Sequence, residues 1–270
     1  MSGLEFINTT SGWALAFMVI SVAVIFSVGL QLFTRWRFGV DLVEANHEVA
    51  GFKFAVVGVA YGVLLAFVVL SVWDEYEQTR GTVDAEAQRF YNLFRTSYNF
   101  PDETGTKIQD ALLAYAVTVR DKDWPEMQQG SRGSKSAADA YTKLSFTVGQ
   151  TRPDDIRLAP SVTHAFNLLQ EIADLRLERL SDVRGHVTPV VWAVLLLGAF
   201  ITLGYCAFFA TKHVGAQILM TGGLAVIIGS IFFLMLILNY PFSGPQALTS
   251  APIDDAIKRM QTETATAVER

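Results

Sequence analysis

The sequence predicts an all-α protein: four transmembrane helices in two hairpins, with an extramembrane helical bundle inserted between spans two and three. Three observations predict it. Four apolar runs of 20 residues or more contain no Asp, Glu, Lys, Arg or His, and a bilayer core needs about 20 such residues in a helix. Between the second and third runs lies a long charged segment whose apolar residues recur at three- and four-residue spacing, the period of a helix with one buried face. No stretch of consequence alternates with the period of two that a half-buried strand requires.

The first run, Gly12 to Phe33, resembles a secretory signal only in its position. Glu5 is the sole charge before it, so the basic leading region is missing. It also exceeds the roughly 7 to 15 apolar residues of a signal core, so a retained first span is expected. The second run is Phe54 to Trp73, and a short loop joins it to the first. Val190 to Ala210 and Val214 to Leu238 form the other pair, joined by Thr211-Lys212-His213.

Arg35, Arg37, Lys53 and Lys212 sit in or beside the two short loops, whereas the Met1 to Ser11 tail holds no Lys or Arg. By the positive-inside rule the loops face the cytoplasm. The bundle and both termini then lie on the outer side.

The segment from Asp74 to Val187 carries 14 Lys and Arg against 18 Asp and Glu, a net of −4. No proline interrupts Gly51 to Phe100, so the second span continues outward as one helix. Its apolar stripe runs through Tyr76, Val83, Ala87, Phe90, Tyr91 and Phe94. Further helices are expected over Thr106 to Asp123, with Ile108, Leu112, Tyr115 and Val119 on one face, and over Ser136 to Val148. Gly130 and Gly133 mark Trp124 to Lys135 as loop. A fourth helix runs from about Asp154 towards Val187 through Leu168, Ile172, Leu175 and Arg179, and feeds the third span with Pro189 as a bend. After the last span, Ser250 reads as an N-cap and Pro252 as a first-turn residue of a short amphipathic helix bearing Ile253, Ile257 and Met260. The domain plan is therefore 1–73, hairpin one; 74–187, bundle; 188–240, hairpin two; and 241–270, tail.

The chain has 270 residues, 17% charged and 51% hydrophobic, with mean hydropathy +0.33. This low charge is an average over two solvents. The four runs take up about 88 residues and hold no charge, which leaves the remainder about 26% charged, near the soluble norm. A formal net charge of −5 excludes a broad basic face for nucleic acid. The single cysteine, Cys206, excludes intramolecular disulfides and cysteine-based metal clusters.

No phosphate loop, nucleophile elbow, HExxH or CxxC is present, and His47, His164, His186 and His213 are scattered. No enzymatic chemistry, cofactor or metal is expected. Charge-free spans also lack the intramembrane carboxylate or histidine of a proton-coupled transporter. Glu44, His47 and Glu48 share one face if helical, a juxtamembrane turn or an ion vestibule. Gly51, Ala55, Gly58, Gly62 and Ala66 line one side of the second span, as close helix packing in lipid requires. Gly222, Ala225, Gly229 and Ser230 do the same for the fourth span. The candidate pore or vestibule residues are Glu44, Asn46, His47, Glu48, Gly51, Lys53, Tyr61, Phe67 and Ser71. Four spans leave little room for an enclosed path, so conduction calls for a homo-oligomer in the bilayer passing an inorganic ion along its axis. The competing reading is a membrane-anchored sensor or scaffold whose bundle binds a ligand or partner protein.

Several motifs carry a resemblance. Asn46-His-Glu48-Val-Ala-Gly51, followed by Gly58-Val-Ala-Tyr61-Gly-Val-Leu-Leu-Ala66-Phe67, resembles the signature of the bacterial bestrophin-like domain family. Asp123-Trp124-Pro125 and Asn239-Tyr-Pro241-Phe242-Ser-Gly244-Pro245 support it, and the likeness extends over nearly the whole chain. The resemblance implies an oligomeric, four-span ion channel of the bacterial inner membrane, anion-conducting and calcium-activated as in bestrophins. In that family the termini and helical part are cytosolic, opposite to the charge-based orientation. The chain departs from the pattern after the fourth span, where Asp254-Asp255 stands in place of a calcium-binding acidic cluster. Selectivity stays open between the family's anions and the cations that an acidic vestibule attracts. Trp124 and Pro125 suit a bundle cap, and Pro241 to Pro245 a break at the surface or a latch at the pore mouth.

Overall fold

Charge-free stretches without proline make long helices, and the computed structural model follows them closely. It describes residues 7–38, 47–151, 158–207, 209 and 213–268. Among the described residues there is no strand. Helix α1 spans Gly12–Phe38, α2 His47–Ser97, α3 Asp102–Thr118, α4 Trp124–Gln128, α5 Lys135–Gly149, α6 Ala159–Ser181, α7 Pro189–Cys206, α8 Val214–Leu238 and α9 Ala251–Val268. Among the described residues, four helical stretches are long and apolar enough to cross a membrane. The expected continuation of the second span is present: α2 is one helix of 51 residues, about 77 Å long at 1.5 Å per residue.

The chain divides into two compact units. One holds the described residues of Phe6–Glu75 and His186–Asn239. Its helix directions follow from paired residues. On α1 and α7, Phe26 meets Phe200 with ring centroids 5.3 Å apart, and Thr34 donates to the Ala207 carbonyl at 2.8 Å. Residue numbers rise together, so these helices are parallel. On α8, a Cβ at Gly229 would stand 3.0 Å from Ile20 Cα, and Gln217 meets Arg35 at 3.5 Å. Numbers fall as they rise, so α1 and α8 are antiparallel. Helix α2 runs antiparallel to α7, with Phe54 beside Tyr205 and Phe209, and Tyr61 beside Leu195.

The other unit holds the described residues of Tyr76–Gly185 and Tyr240–Arg270. The predicted stripes form its core: Val83, Phe90 and Phe94 of α2, Ile108, Leu112 and Tyr115 of α3, Leu168 and Ile172 of α6, and Ile253, Ile257 and Met260 of α9 are all buried. Helices α2 and α6 are antiparallel, since Thr79 pairs with Asp182 and Arg89 with Glu171.

Two local expectations change. Trp124–Gln128 is helix rather than loop, because a π-helical turn over Val119–Asp123 carries the α3 backbone forward into it. The chain turns at Gly130 and Gly133, both at positive φ. At Gly133, φ is 81° and a Cβ would lie 2.9 Å from Leu180 Cδ2, so only glycine fits. The link from α6 to α7 is not a bend at Pro189 but a break. A 3-10 turn ends at Gly185 with φ 77°, and Pro189 opens α7, where its missing N–H costs nothing.

Candidate functional site

Helix α2 presents three kinds of side to its surroundings. Tyr61, Leu65 and Val72 are buried. The Tyr61 hydroxyl donates to the Leu195 carbonyl at 2.9 Å, and its ring lies on Gly198, where a Cβ would overlap the ring carbons. The opposite side is apolar and exposed: Val56, Val59, Val63, Phe67 and Leu70 follow one another at three- and four-residue steps, Phe67 being 68% exposed. The small residues form the third side. A Cβ built at Gly58 or Gly62 meets nothing within 4 Å, and Ala55 and Ala66 are exposed. Close approach on this stripe is therefore available to another chain and not used within this one.

The remaining candidates fall around this helix. Gly51 lies 3.9 Å, by its virtual Cβ, from a ring carbon of Phe209, while Lys53 and Ser71 are exposed. Glu44 and Asn46 lie outside the described residues. His47 and Glu48 open α2, but their side chains lie outside the described set.

Asn239, at the end of α8, is a structural clip. Its side-chain carbonyl accepts from the backbone N–H of His186 at 3.1 Å and of Val187 at 2.9 Å, two donors in the break between Gly185 and Pro189. Asn239 is itself buried. Losing one acceptor for two donors costs about 2 kcal/mol. Asn239→Leu is expected to lower the thermal midpoint of the purified protein, while Asn239→Asp, which keeps the oxygen, retains most of it. Equal midpoints for all three would refute the clip.

In the other unit the remaining motifs converge. Trp124 is buried, meets Phe242 edge-on at 5.7 Å and donates its indole N–H to the Leu248 carbonyl at 3.2 Å. Pro125 is exposed at the start of α4, in keeping with a helix opener. Pro241 and Phe242 are buried, Gly244 turns the chain at φ 86°, and Pro245 is exposed.

Beside Trp124 lies a buried ionic group. Arg179 bonds Glu86 through Nε at 2.6 Å and Nη2 at 3.1 Å, a bidentate pair with both side chains fully buried. Its Nη2 also reaches Asp123 at 3.4 Å, and its guanidinium sits 5.3 Å from the Trp124 ring centre. Arg176 bonds Asp123 at 3.2 Å, and Ser134 gives Asp123 both its backbone N–H and its hydroxyl. Ser134 then caps α5 by accepting from Ala137.

Burial opposes the Arg179 charge, but Glu86, followed by Tyr115 and Asp123, holds its pKa above the usual arginine value. Burial pushes the Tyr115 phenol well above the ordinary tyrosine range, with Glu86 adding to it, so the hydroxyl stays neutral. Residue spacing alone did not bring Glu86, Asp123 and Arg179 together. The available signal was charge on apolar stripes: Glu86 falls between Val83 and Phe90, and Arg179 follows Ile172 and Leu175.

A model of the Bestrophin-like domain matches residues 21–253. The chain belongs to the bestrophin-like family. Solved structures of bestrophin homologues share its fold. A single-substitution variant of a bacterial bestrophin homologue from Klebsiella pneumoniae superposes with TM-score 0.66 at 15% identity, covering 91% of this chain and 98% of that one. The crystal structure of the Klebsiella pneumoniae homologue phased on zinc gives 0.65 at 16%, covering 91% and 98%. Another variant gives 0.62 at 16%, covering 91% and 99%. No curated protein sequence matches the chain. With four membrane-length helices, this bestrophin-like chain is an integral, multi-pass membrane protein.

Proposed function

We propose that the protein is a homo-oligomeric, cation-preferring ion channel whose axial pore is lined by α2. The carrying observation is the exposed side of that helix. While Tyr61, Leu65 and Val72 are taken up by neighbours, Val56, Val59, Val63, Phe67 and Leu70 are left to meet something outside the chain. Continued at helical spacing, the same stripe passes to Asp74, Glu77 and Asp84, all exposed. Around an axis this makes a narrow apolar throat that gates by dewetting, followed by carboxylate rings that concentrate cations. The stripe of Ala55, Gly58, Gly62 and Ala66 supplies the close helix approach that such a ring needs. Family membership supports the channel reading, and the acidic stripe supports cations over anions. Arg35, Arg37 and Lys53 support an orientation in which the C-terminal end of α1 faces the cytoplasm, in a bacterial inner membrane.

Purified protein in planar bilayers under a sodium chloride gradient is expected to pass current with a reversal potential near that of sodium. Asp74→Asn, Glu77→Gln and Asp84→Asn together are expected to move it towards zero. Silence with sodium, potassium and chloride would end the channel reading in favour of a sensor or scaffold. A reversal potential near that of chloride would end the selectivity reading alone. Native mass spectrometry should show one closed oligomer, and a monomer would exclude an axial pore.

A further inference from the structure

We infer that the seam between α1 and its neighbours in the membrane holds a buried water shared by Ser27 and Gln31. This goes beyond the channel reading and does not depend on it. Ser27 is fully buried and Gln31 is 2% exposed, yet neither Ser27 Oγ nor Gln31 Oε1 has a hydrogen-bond partner among the described residues. In hydrocarbon an unmet polar group costs several kcal/mol. The amide oxygen of glutamine accepts only, so Gln31 Oε1 needs a donor from elsewhere.

Three other donors of this region, on Thr34, Arg35 and Gln217, are engaged elsewhere. Thr34 Oγ1 lies 2.9 and 2.8 Å from the Gln31 and Ala207 carbonyls, which share its single proton. Arg35 Nη1 turns to Gln217 Oε1 at 3.5 Å, and Gln217 Nε2 donates to the Phe209 carbonyl. Burial keeps out lipid headgroups and the side chains of a second copy. What fits is a small molecule that donates twice, which is water.

Spacing supports sharing. Ser27 and Gln31 are one turn apart, so their side chains are neighbours on one helix face, the arrangement that a single bridging water requires. Thr202 Oγ1, also buried and unpartnered on α7, does not belong to this pair. On that helix Phe200 and Gly204 are the residues turned to Phe26 and Leu30 of α1, and Thr202 lies about half a turn from both.

The test is a double-mutant cycle on the full-length protein in detergent, read as thermal midpoints. Ser27→Ala alone and Gln31→Leu alone each strand one partner of the bridge, and each is expected to lower the midpoint by about 2–4 °C. The double variant leaves no unmet group and should return close to the parent. Single substitutions that raise the midpoint, with effects that add, would overturn the shared water. A structure at about 2 Å resolution gives an independent reading. Density within about 2.6–3.2 Å of both oxygens supports the inference. Its absence where other buried waters are visible, or its contact with one oxygen only, refutes it.

Discussion

Gly198→Ala is expected to lower the thermal midpoint by about 4–8 °C. Ordinarily the change from glycine to alanine within a helix gains up to about 1 kcal/mol. Here the new Cβ would occupy the space of the Tyr61 ring. That ring has nowhere to go, because its hydroxyl is fixed to the Leu195 carbonyl on the preceding turn of α7. Overpacking of this kind costs about 1–3 kcal/mol, and loss of the hydroxyl's bond adds about 1 kcal/mol. The clash therefore outweighs the helix gain. Tyr61→Leu removes the ring, so the double variant should be more stable than Gly198→Ala alone. If Gly198→Ala is neutral or stabilising, α2 and α7 are not held in contact at this point.

Arg179→Met tests the other unit. It leaves Glu86 buried without its bidentate partner and removes one of the two guanidinium groups on Asp123. Breaking a buried pair from one side costs about 3–5 kcal/mol, much of which reflects the stranded carboxylate. Arg179→Met combined with Glu86→Leu should recover most of the loss, because Arg176 and Ser134 still satisfy Asp123. Thermal unfolding followed by tryptophan fluorescence has a local reporter in Trp124, which lies against the guanidinium. A double variant as damaged as the single one would mean that Arg179 acts through packing on Trp124 and Met127, not through charge.

The fold was legible wherever one helix settles its own fate. The length of α2 follows from absent proline, and the buried face of α9 from Ile253, Ile257 and Met260 standing three and four apart. The Trp124–Gln128 helix was hidden because the glycine signals at 130 and 133 are real but end a helix rather than mark a whole loop. Of the site, the exposed side of α2 was visible only in part. Which side of an apolar helix stays uncovered depends on partners such as Gly198, and spacing within α2 carries no information about α7. By spacing alone, Arg179 is one more step on an α6 stripe. The reason an arginine can stand there is Glu86, 93 residues earlier.

Two exposed tryptophans on α1 bear on the thickness of bilayer this protein prefers. Trp13 and Trp36, 89% and 80% exposed, stand 23 residues apart, about 35 Å along the axis at 1.5 Å per residue. Indoles settle at the headgroup level, and a hydrocarbon core is about 30 Å thick. That separation fits indoles seated just outside a core of this thickness, and a thinner bilayer would be met by tilting. Yet α1 does not tilt alone: it is fastened to α8 near Gly229 and at Gln217, and to α7 at Ala207. In such a bilayer the three helices would lean together, which makes membrane thickness a mechanical input to the whole trio.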